Sequence, residues 1–592
     1  MNMKKIIFPF CAALLGGASL LSLSSCGDAL EPYPWIIDGD VNDTEGAGAR
    51  DMEVCEAELR GAIPFMINYS HEPTGTWAPH KYQYYRANTI DNYAGYWTTS
   101  KAIFAFGPAL PTLYYEPNGY MGGARDNQLF IQSKNAVLYA ATMEDEDGNN
   151  VAKPEWRAVA LIIQSYLGHE VTDFFGVCPY LDWRSGKQSN LQYMSGPEVY
   201  KQIFADLDEA VEILKERQPS VAEFMKVEGN DAYKTCCDWE WQRWVKFANS
   251  IKLRMAMNMV DYTDPNPVYG PDNKPFVAQN IAEEAFADGV LMPGDRDISY
   301  RTPQDDTRGV ALWKICEEWD DLRLNASMEN ILRHFKSPLL EEWFDPGNYP
   351  IKGKDGRNAP TGYINGIYPG IMAQNIPSKQ SQYGPFGKLA DKQKAMDQPF
   401  LKLTEVLFIR AEGALRGWNM GGTAQELYEQ GIRTCFEQYG LEGEVDKYLA
   451  QDNLPAVKYV DYYDSKNNCD GRVSIGVKWN DADSPELQLE KIITQKWIAV
   501  FPLSAEAWTT FRRTGYPRIF PCKFNNLDKV DLEMQIRRMN YTSTDNNTTE
   551  IDQITRLLGG SQTCGDRVFW DVNSALWGKD ENGWIVPDNR LQ

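Results

Sequence analysis

The chain has 592 residues, and its 82 acidic side chains outnumber the 59 Lys and Arg side chains to give a formal net charge of −23. This charge repels phosphate backbones and anionic lipid headgroups, which argues against nucleic acid as a partner. The length is sufficient for a large buried core, but 18 tryptophans are more than a globular chain of average composition contains. The aromatic side chains therefore require an explanation.

The N-terminus has the pattern of a secretory signal. Two lysines precede an apolar run that ends in the motif LSSC, at residues 23–26. This motif resembles the bacterial lipobox, so we expect cleavage before Cys26 and attachment of lipid to that residue. A plain signal peptide or an anchor helix is the alternative. We predict a signal peptide over residues 1–25 and a tether over residues 26–50.

The sequence shows no pattern typical of a metal or cofactor site. Its 11 cysteines and four histidines lack the spacing of metal ligands or of a disulfide scaffold. Cys236 and Cys237 are adjacent, and we interpret them as buried small side chains rather than as a redox pair. The acidic loop at 144–150 lacks the final Glu of an EF-hand, so a solvated loop is favoured over a calcium site. We predict no metal and no cofactor.

Two amphipathic helices are predicted after residue 150. Pro154 opens the first, and apolar side chains then recur every three or four residues from Trp156 onward. Ser195 and Glu198 form a capping box at the start of the second, with Pro197 in its first turn. We expect these helices to be neighbours joined by a long connection.

A third helix is predicted from Asp238 to Val260, and it is almost apolar enough to be buried on all sides. The following segment, 261–398, is rich in Pro, Gly, Asn, Asp and Tyr, and it shows a single probable helix near residues 325–335. Because this segment is too long for a passive loop, we predict an irregular folded insertion that carries function.

A helical hairpin is predicted after the insertion. Pro399 is expected to open its first helix, which stops at Gly417. Thr423 begins the capping box of its second helix, which ends near Gly440. Residues 398–440 thus have the plan of a tetratricopeptide unit.

One more pair of helices is predicted near residue 500. Ser484 and Pro485 start a helix that runs to Val500 and is broken by Pro502. Ser504 is expected to cap a short successor that ends at Gly515.

Four segments together resemble the SusD/RagB family of outer-membrane nutrient-binding lipoproteins. They are the LSSC motif, NTIDNYAGYW (88–97), LTEVLFIRAEGALRGWNMGGTAQELYEQGIRTCFEQYG (403–440) and QKWIAVFPLSAEAWTTFRRTGYPRIFP (495–521). The resemblance implies an all-α fold, in which four tetratricopeptide-like helix pairs form a repeat scaffold and large irregular loop insertions form a ligand platform. It covers nearly the whole chain, so we predict a single helical domain over residues 26–592.

The resemblance also implies a function. Members of the family act as lids on TonB-dependent SusC-like barrels, to which they pass captured oligosaccharides or peptides. We therefore expect a lipid-anchored protein of the outer membrane, exposed at the cell surface, that binds glycans and is not an enzyme. Its expected partners are an oligosaccharide ligand and a SusC-like transporter.

The stretch TWAPHKYQYYRANTIDNYAGYW (76–97) contains seven aromatic rings and has neither a helical nor a strand period. Such rings can stack on the C–H face of a sugar while polar neighbours bond its hydroxyls. The resemblance implies stacking aromatics here and in the insertion, with packing of loops onto the scaffold as the alternative for each. The candidate ligand-binding residues are Trp77, Arg86, Asn92, Tyr96, Trp97, Trp313, Trp319, Trp343 and Tyr383.

Three other functions remain open. A RagB-like relative would bind peptides, a pure scaffold would bind no small ligand, and a helical glycoside hydrolase would need two carboxylates about 5 to 10 Å apart. Glu405 and Glu412 are the most conspicuous acids in a motif. Because they lie seven residues apart on one helix, we interpret them as solvated or as bonding within the hairpin.

Overall fold

Helices are the main regular secondary structure in the chain that the structure describes. The computed structural model describes residues 52–65, 79–100, 153–184, 189–230, 235–302, 309–347, 350–371, 385–524, 529–541, 548–572, 577–579 and 585–587. All of these lie in one unit, Gly48–Gln592. The predicted signal peptide and tether, with Cys26, lie outside the described residues.

The α-helices are labelled in chain order. They are α1 (Met52–Phe65), α2 (Pro79–Tyr82), α3 (Ile90–Tyr93), α4 (Pro154–Phe175), α5 (Tyr180–Arg184), α6 (Gly196–Arg217), α7 (Val221–Glu228), α8 (Trp241–Asn258), α9 (Ala278–Asp288), α10 (Ala311–Glu317), α11 (Ala326–His334), α12 (Leu339–Trp343), α13 (Leu403–Leu415), α14 (Ala424–Gln438), α15 (Val445–Leu449), α16 (Pro485–Ala499), α17 (Ser504–Thr514) and α18 (Thr548–Leu557).

Eight of these helices pack in four successive pairs. The pairs are α4 with α6, α8 with α9, α13 with α14, and α16 with α17, and further contacts join α6 to α8 and α13 to α16. This arrangement confirms the predicted helical-repeat scaffold. In the ranges that the structure describes, none of the helices has both the length and the apolar character of a membrane span.

The first pair follows the sequence signals closely. Pro154 is the first residue of α4, and Ser195 and Glu198 form the capping box of α6. The chain between these helices is closed by antiparallel pairing of β2 (Val177–Cys178) with β3 (Met194–Ser195). The end of one helix is thereby held beside the start of the next.

The second pair corrects the predicted extent of the insertion. Helix α9 lies within 261–398, where we expected irregular chain, and its Ile281, Ala282 and Ala285 are buried against α8. The predicted helix near residues 325–335 is confirmed as α11, whose N-cap Asn325 accepts a hydrogen bond from the Ser327 N–H. The region therefore supplies one scaffold helix as well as loops.

The third pair begins later than we expected. Pro399 lies in the strand β10 (Gln398–Leu401), so it does not open α13, which starts at Leu403. The predicted capping box at Thr423 is confirmed. A Cβ atom on Gly431 of α14 would lie 2.9 Å from the ring of Phe408 on α13, so glycine allows these two helices to approach closely.

The fourth pair differs from the prediction at one cap. The side chain of Ser484 accepts a hydrogen bond from the Leu487 N–H at the start of α16, as expected. Ser504 is instead the first residue of α17, and its hydroxyl donates to the Pro502 carbonyl over 3.3 Å. Gly515, at φ +78°, ends α17.

Short antiparallel strand pairs connect distant loops. Besides the β2–β3 pair, the described residues form β1 (Trp97–Thr99) with β7 (Leu322–Leu324), β4 (Val268–Tyr269) with β5 (Lys274–Pro275), β6 (Ile298–Tyr300) with β10, β8 (Phe344–Asp345) with β9 (Lys388–Leu389), and β11 (Trp577–Lys579) with β12 (Ile585–Pro587). The β1–β7 pair fastens the aromatic N-terminal stretch to the insertion, with Trp97 opposite Leu324. That stretch also contains α2, α3 and a π-helix, although its sequence shows neither a helical nor a strand period.

Buried ion pairs join the scaffold helices. Glu405 accepts hydrogen bonds from Arg254 of α8, and Glu412 forms a two-pronged pair with Arg513 of α17 at 2.6 and 2.7 Å. Both carboxylates are fully buried, so the solvated interpretation was wrong. The adjacent Arg513 and Arg416 guanidinium groups lower the pKa of Glu412 to about 2 despite its burial.

Candidate ligand-binding site

The predicted site residues of the N-terminal stretch lie in the core. Asn92, Tyr96 and Trp97 have almost no exposed surface. The Tyr96 hydroxyl donates to the Trp497 carbonyl, and the Trp97 ring meets the edge of Phe344 with centroids 5.5 Å apart. Packing accounts for these side chains, because a ligand at the surface does not reach them. Trp77 lies outside the described residues.

Arg86 forms a buried ion pair rather than an exposed polar group. Its guanidinium donates to Glu170 of α4 over 2.5 Å, and the charge of Glu170 raises the pKa of Arg86 although burial acts to lower it. Together with Tyr82 and Asp91, Arg86 lines a cavity of about 60 Å³. The pair joins the N-terminal stretch to the first scaffold helix.

The predicted tryptophans of the insertion differ in exposure. Trp343 is fully buried and stacks on Phe501 at 4.7 Å. Trp313 is nearly buried, with the Lys394 ammonium 4.4 Å from its ring centroid. Trp319 is half-buried against the core and keeps exposed surface. Tyr383 lies outside the described residues.

Two loops of the described chain present half-exposed tyrosines together. Tyr363 and Tyr462 meet edge to face with ring centroids 4.9 Å apart, and the Arg333 guanidinium lies 4.0 Å from the Tyr363 ring centroid. Beside them, the exposed turn 352–362 carries Lys, Asp, Arg, Asn and Thr side chains. We call Tyr363, Tyr462, Arg333 and this turn the tyrosine face.

Buried hydrogen bonds position the tyrosine face. The side chain of Asn365 donates to Glu329 over 2.9 Å and to the Val460 carbonyl over 3.2 Å, and it accepts from the Tyr462 N–H over 3.3 Å. Glu329 also accepts from Arg333 over 2.7 Å. Because these groups are buried and mutually bonded, the two loops are held in one arrangement.

The surroundings of Tyr363 keep its hydroxyl protonated. Burial, followed by the nearby Glu329 carboxylate, raises the pKa of Tyr363. Burial also raises the pKa of Glu329 although Arg333 acts to lower it. The Tyr363 hydroxyl is therefore protonated at neutral pH and can donate or accept a hydrogen bond.

Sequence reasoning missed the two tyrosines of this face. The residues next to them in the sequence could have indicated both tyrosines. Tyr363 follows Thr361-Gly362, and Tyr462 lies in the segment VDYYD, which has an aspartate at each side of its tyrosine pair. Tyrosine beside turn-forming residues is typical of a ring held at a loop surface. The candidates predicted in the insertion were mainly tryptophans, and two of these, Trp313 and Trp343, are buried in the core.

A wide polar cleft lies beside the third helix pair. Its volume is about 1370 Å³, and its walls are the chain from Met292 to Arg301, the segment 392–403, helix α14 and Arg410 of α13. We call it the central cleft. Tyr439 lines it and meets Trp343 edge to face at 5.3 Å, so the buried aromatic cluster supports one wall.

The cysteines and glutamates that are conspicuous in the sequence are buried. Across the described ranges no three His, Cys, Asp or Glu side chains come together as metal ligands. Cys236 and Cys237 are buried thiols with Sγ atoms 3.8 Å apart, as we expected. Glu405 and Glu412 are occupied by arginines.

Comparisons with known proteins agree with this architecture. A family model described as SusD-like, "Susd and RagB outer membrane lipoprotein", matches residues 42–571. A chitin-binding SusD homologue from Flavobacterium johnsoniae is 30% identical, with a TM-score of 0.70 over 87% of this chain and 99% of its own. A SusD homologue from Bacteroides thetaiotaomicron is 26% identical, with a TM-score of 0.71 over 87% and 98% of the two chains. No curated protein matches the chain.

Proposed function

Because the chain belongs to the SusD-like family of outer membrane lipoproteins, we propose that it binds glycans at the outer membrane, anchored by lipid at Cys26. The similar protein from Flavobacterium johnsoniae is described as chitin-binding, so a polymer of N-acetylglucosamine is the first ligand class to test. In this proposal the protein captures oligosaccharides at the cell surface and delivers them to a TonB-dependent SusC-like transporter.

The tyrosine face is the observation that carries the proposal. Two half-exposed rings and a guanidinium lie side by side, held from beneath by Glu329 and Asn365. Rings of this kind cover the C–H face of a sugar, and the charged and amide side chains of the adjoining turn can bond its hydroxyls. A rigid platform also reduces the ordering cost of binding.

Three other predicted aromatics stay as candidate ligand contacts. Trp319 keeps exposed surface, and we retain it as a proposed ligand contact. Trp77 and Tyr383 also stay as proposals. The buried Tyr96, Trp97 and Trp343 are assigned to the support of the loops instead.

Binding rather than turnover is the proposed activity. A glycosidase needs one carboxyl to donate a proton and a second to attack or to activate water. Glu405 and Glu412 are committed to buried arginines, which favours a structural role for both.

Calorimetric titration with chitin oligosaccharides tests the proposal. Tyr363→Ala and Tyr462→Ala should each lower affinity by about threefold to twelvefold, since a stacked ring contributes about 0.5 to 1.5 kcal/mol beyond area burial. Tyr262→Ala is the matched control. Tyr262 is also half-buried and meets an aromatic ring edge to face, Phe569 at 5.0 Å, but it is not part of the tyrosine face.

Three results would count against this assignment. Equal affinity of all three variants would remove the tyrosine face from the ligand site. Binding of peptides but of no glycan on an array would favour the RagB-like function. Release of shortened chitin products would establish an enzyme. Co-purification of a SusC-like barrel with the wild-type protein tests the delivery step separately.

A further inference from the structure

Arg410 of α13 is a buried cation. It extends from α13 to the wall of the central cleft and is only 3% exposed. Its Nε donates to the Met420 carbonyl over 3.0 Å, and its Nη1 lies 3.4 Å from the Met292 sulfur. Within the described part of the chain no carboxylate lies at ion-pair distance from this guanidinium.

This pairing state differs from that of other buried arginines. Arg254 of α8 and Arg513 of α17 each bind a carboxylate with two hydrogen bonds. Arg512 of α17 forms no ion pair among the described residues, but its Nη1 and Nη2 donate to two carbonyls and a hydroxyl. A buried charge without a partner is costly. Burial alone lowers the pKa of Arg410 to about 10, which leaves it charged at neutral pH. An anion that enters the cleft would supply the missing partner.

Two acids of the cleft walls already have hydrogen-bond partners. Asp295 accepts hydrogen bonds from Lys246 and from the Met292 N–H, each over 2.7 Å. Glu426 accepts from Thr423 in the capping box of α14. Neither is available to neutralise Arg410 without breaking those bonds.

The surroundings of Arg410 hold it in place. The guanidinium lies 4.7 Å from the ring centroid of Phe286, which supports one face. At Gly421, φ is +73°, and a Cβ atom there would lie 2.4 Å from the Phe286 ring and 3.2 Å from Arg410 Nη2. Glycine therefore permits the close approach of the 420–422 backbone, and the guanidinium is preorganised rather than mobile.

The chemistry of the central cleft differs from that of the tyrosine face. Tyr439 is the only aromatic ring among its described lining residues, so the cleft offers little surface for stacking on sugars. Its walls carry charges of both signs, with Glu426, Arg433 and Glu437 at helical spacing along α14, and they also include apolar side chains such as Met396 and Leu427. A surface of charged and apolar side chains suits a polypeptide, and the volume of about 1370 Å³ exceeds the 300 to 1,000 Å³ of ordinary small-molecule pockets.

We propose that the central cleft binds an extended polypeptide segment of another protein through a carboxylate that pairs with Arg410. The carboxylate is the C-terminus of that segment or an acidic side chain within it. A guanidinium binds a carboxylate through two parallel hydrogen bonds, which fixes its orientation. The site shares none of the residues of the tyrosine face, so it is independent of the proposed glycan binding.

Fluorescence anisotropy with two matched libraries of octapeptides tests the proposal. The acidic library has free C-terminal carboxylates and acidic side chains. The neutral library has the same sequences with amidated C-termini and with Asn and Gln in place of the acids. The wild-type protein should bind the best acidic peptides about tenfold to a hundredfold more tightly than their neutral twins. This preference should weaken as salt is added.

Variants of two cleft arginines separate binding from folding. Arg410→Gln should abolish the preference for the acidic library, and Arg410→Lys should restore part of it. Arg433→Gln is the matched control, because Arg433 lines the same cleft but is already paired with Asp446 at 2.7 Å. It should keep the preference. Thermal melts of each variant accompany the titrations.

The proposal is overturned if the wild-type protein binds no acidic peptide or does not distinguish the two libraries. It is also overturned if Arg410→Gln remains folded and keeps the preference, or if a galacturonate oligosaccharide binds more tightly than every peptide. Should Arg410→Gln fail to fold, the comparison of the two libraries on wild type and on Arg410→Lys still decides the matter. Chitin binding should be unchanged in Arg433→Gln and in Arg410→Lys.

Discussion

Several aromatic side chains that the sequence suggested as ligand contacts instead pack in the core, and Trp97 is the clearest case. Its ring is fully buried between Phe344 and Phe501. Trp97→Ala should therefore lower the free energy of unfolding by about 3 to 5 kcal/mol, as expected for a large ring removed from a packed core. Denaturant titration measures this loss. Trp319→Ala, at a half-buried position, should cost clearly less, and equal losses would contradict the assignment.

A second residue-scale prediction concerns pH. Asp173 is buried, and burial raises its pKa from 3.8 to about 7 although Tyr200 and Trp570 donate hydrogen bonds to it. The folded state therefore binds this proton more tightly than the unfolded state. The resulting stabilisation is complete below about pH 4 and is lost as the pH rises through about 7.

Melting temperatures measured from pH 4 to pH 8 test this effect. Asp173→Asn cannot titrate, so its melting temperature should fall less steeply over this range than that of the wild type. The comparison concerns slopes, because the amide also changes the hydrogen bonds to Tyr200 and Trp570. Parallel slopes would show that another group causes the pH dependence.

At this scale the sequence identifies chemical types better than it identifies exposure. An abundance of rings near residue 90 is visible in the sequence, but the burial of Tyr96 and Trp97 depends on Trp497 and Phe501, about 400 positions away. In the same way, Tyr363 and Tyr462 come together only because Asn365 joins their loops. Contacts between residues so far apart in the sequence produce no local pattern from which burial could be predicted.

Among the helices, the approach of α13 to α14 depends on Gly431. A side chain there would meet the Phe408 ring, since even a Cβ atom would lie 2.9 Å from it. Gly431→Leu should cost about 1 to 3 kcal/mol of stability, or more, by overpacking. Gly443→Leu is the control, because nothing lies within 4 Å of a Cβ atom at Gly443. Denaturant titration that finds both variants equally stable would show that the seam has room.

Elements with local start signals are the ones that the sequence predicts well. Pro154 marks the first turn of α4 because its ring fixes φ at a helical value. Ser195 and Thr423 mark the starts of α6 and α14 through their capping boxes. Helix α9 has no such cap, as its N-cap position is Val277, and it was missed. Pro399 was misread because proline is compatible with a strand edge as well as with a helix start.

At the scale of the whole molecule, the tyrosine face and the central cleft share no residues. Buried ion pairs between α8 and α13 and between α13 and α17 link three of the four pairs. The scaffold could be predicted from periodicity and from the family resemblance, because both act over many residues. The two surfaces could not, since each combines side chains from segments far apart in sequence.

The last prediction concerns how the molecule is held at the membrane. If the lipobox reading of residues 23–26 is correct, Cys26 carries the lipid, and the several acyl chains of a bacterial lipoprotein bind a membrane far more firmly than one chain does. Cys26→Ala should accumulate as an unprocessed precursor or be mislocalised. The wild-type protein should partition into detergent, and the mass of its N-terminal peptide should include the lipid. Ser24→Ala is the control, because it keeps a small residue in the motif and should be processed normally. A wild-type protein that stays in the aqueous phase with a free Cys26 thiol would contradict the lipid anchor and, with it, the proposed position of the protein beside a transporter.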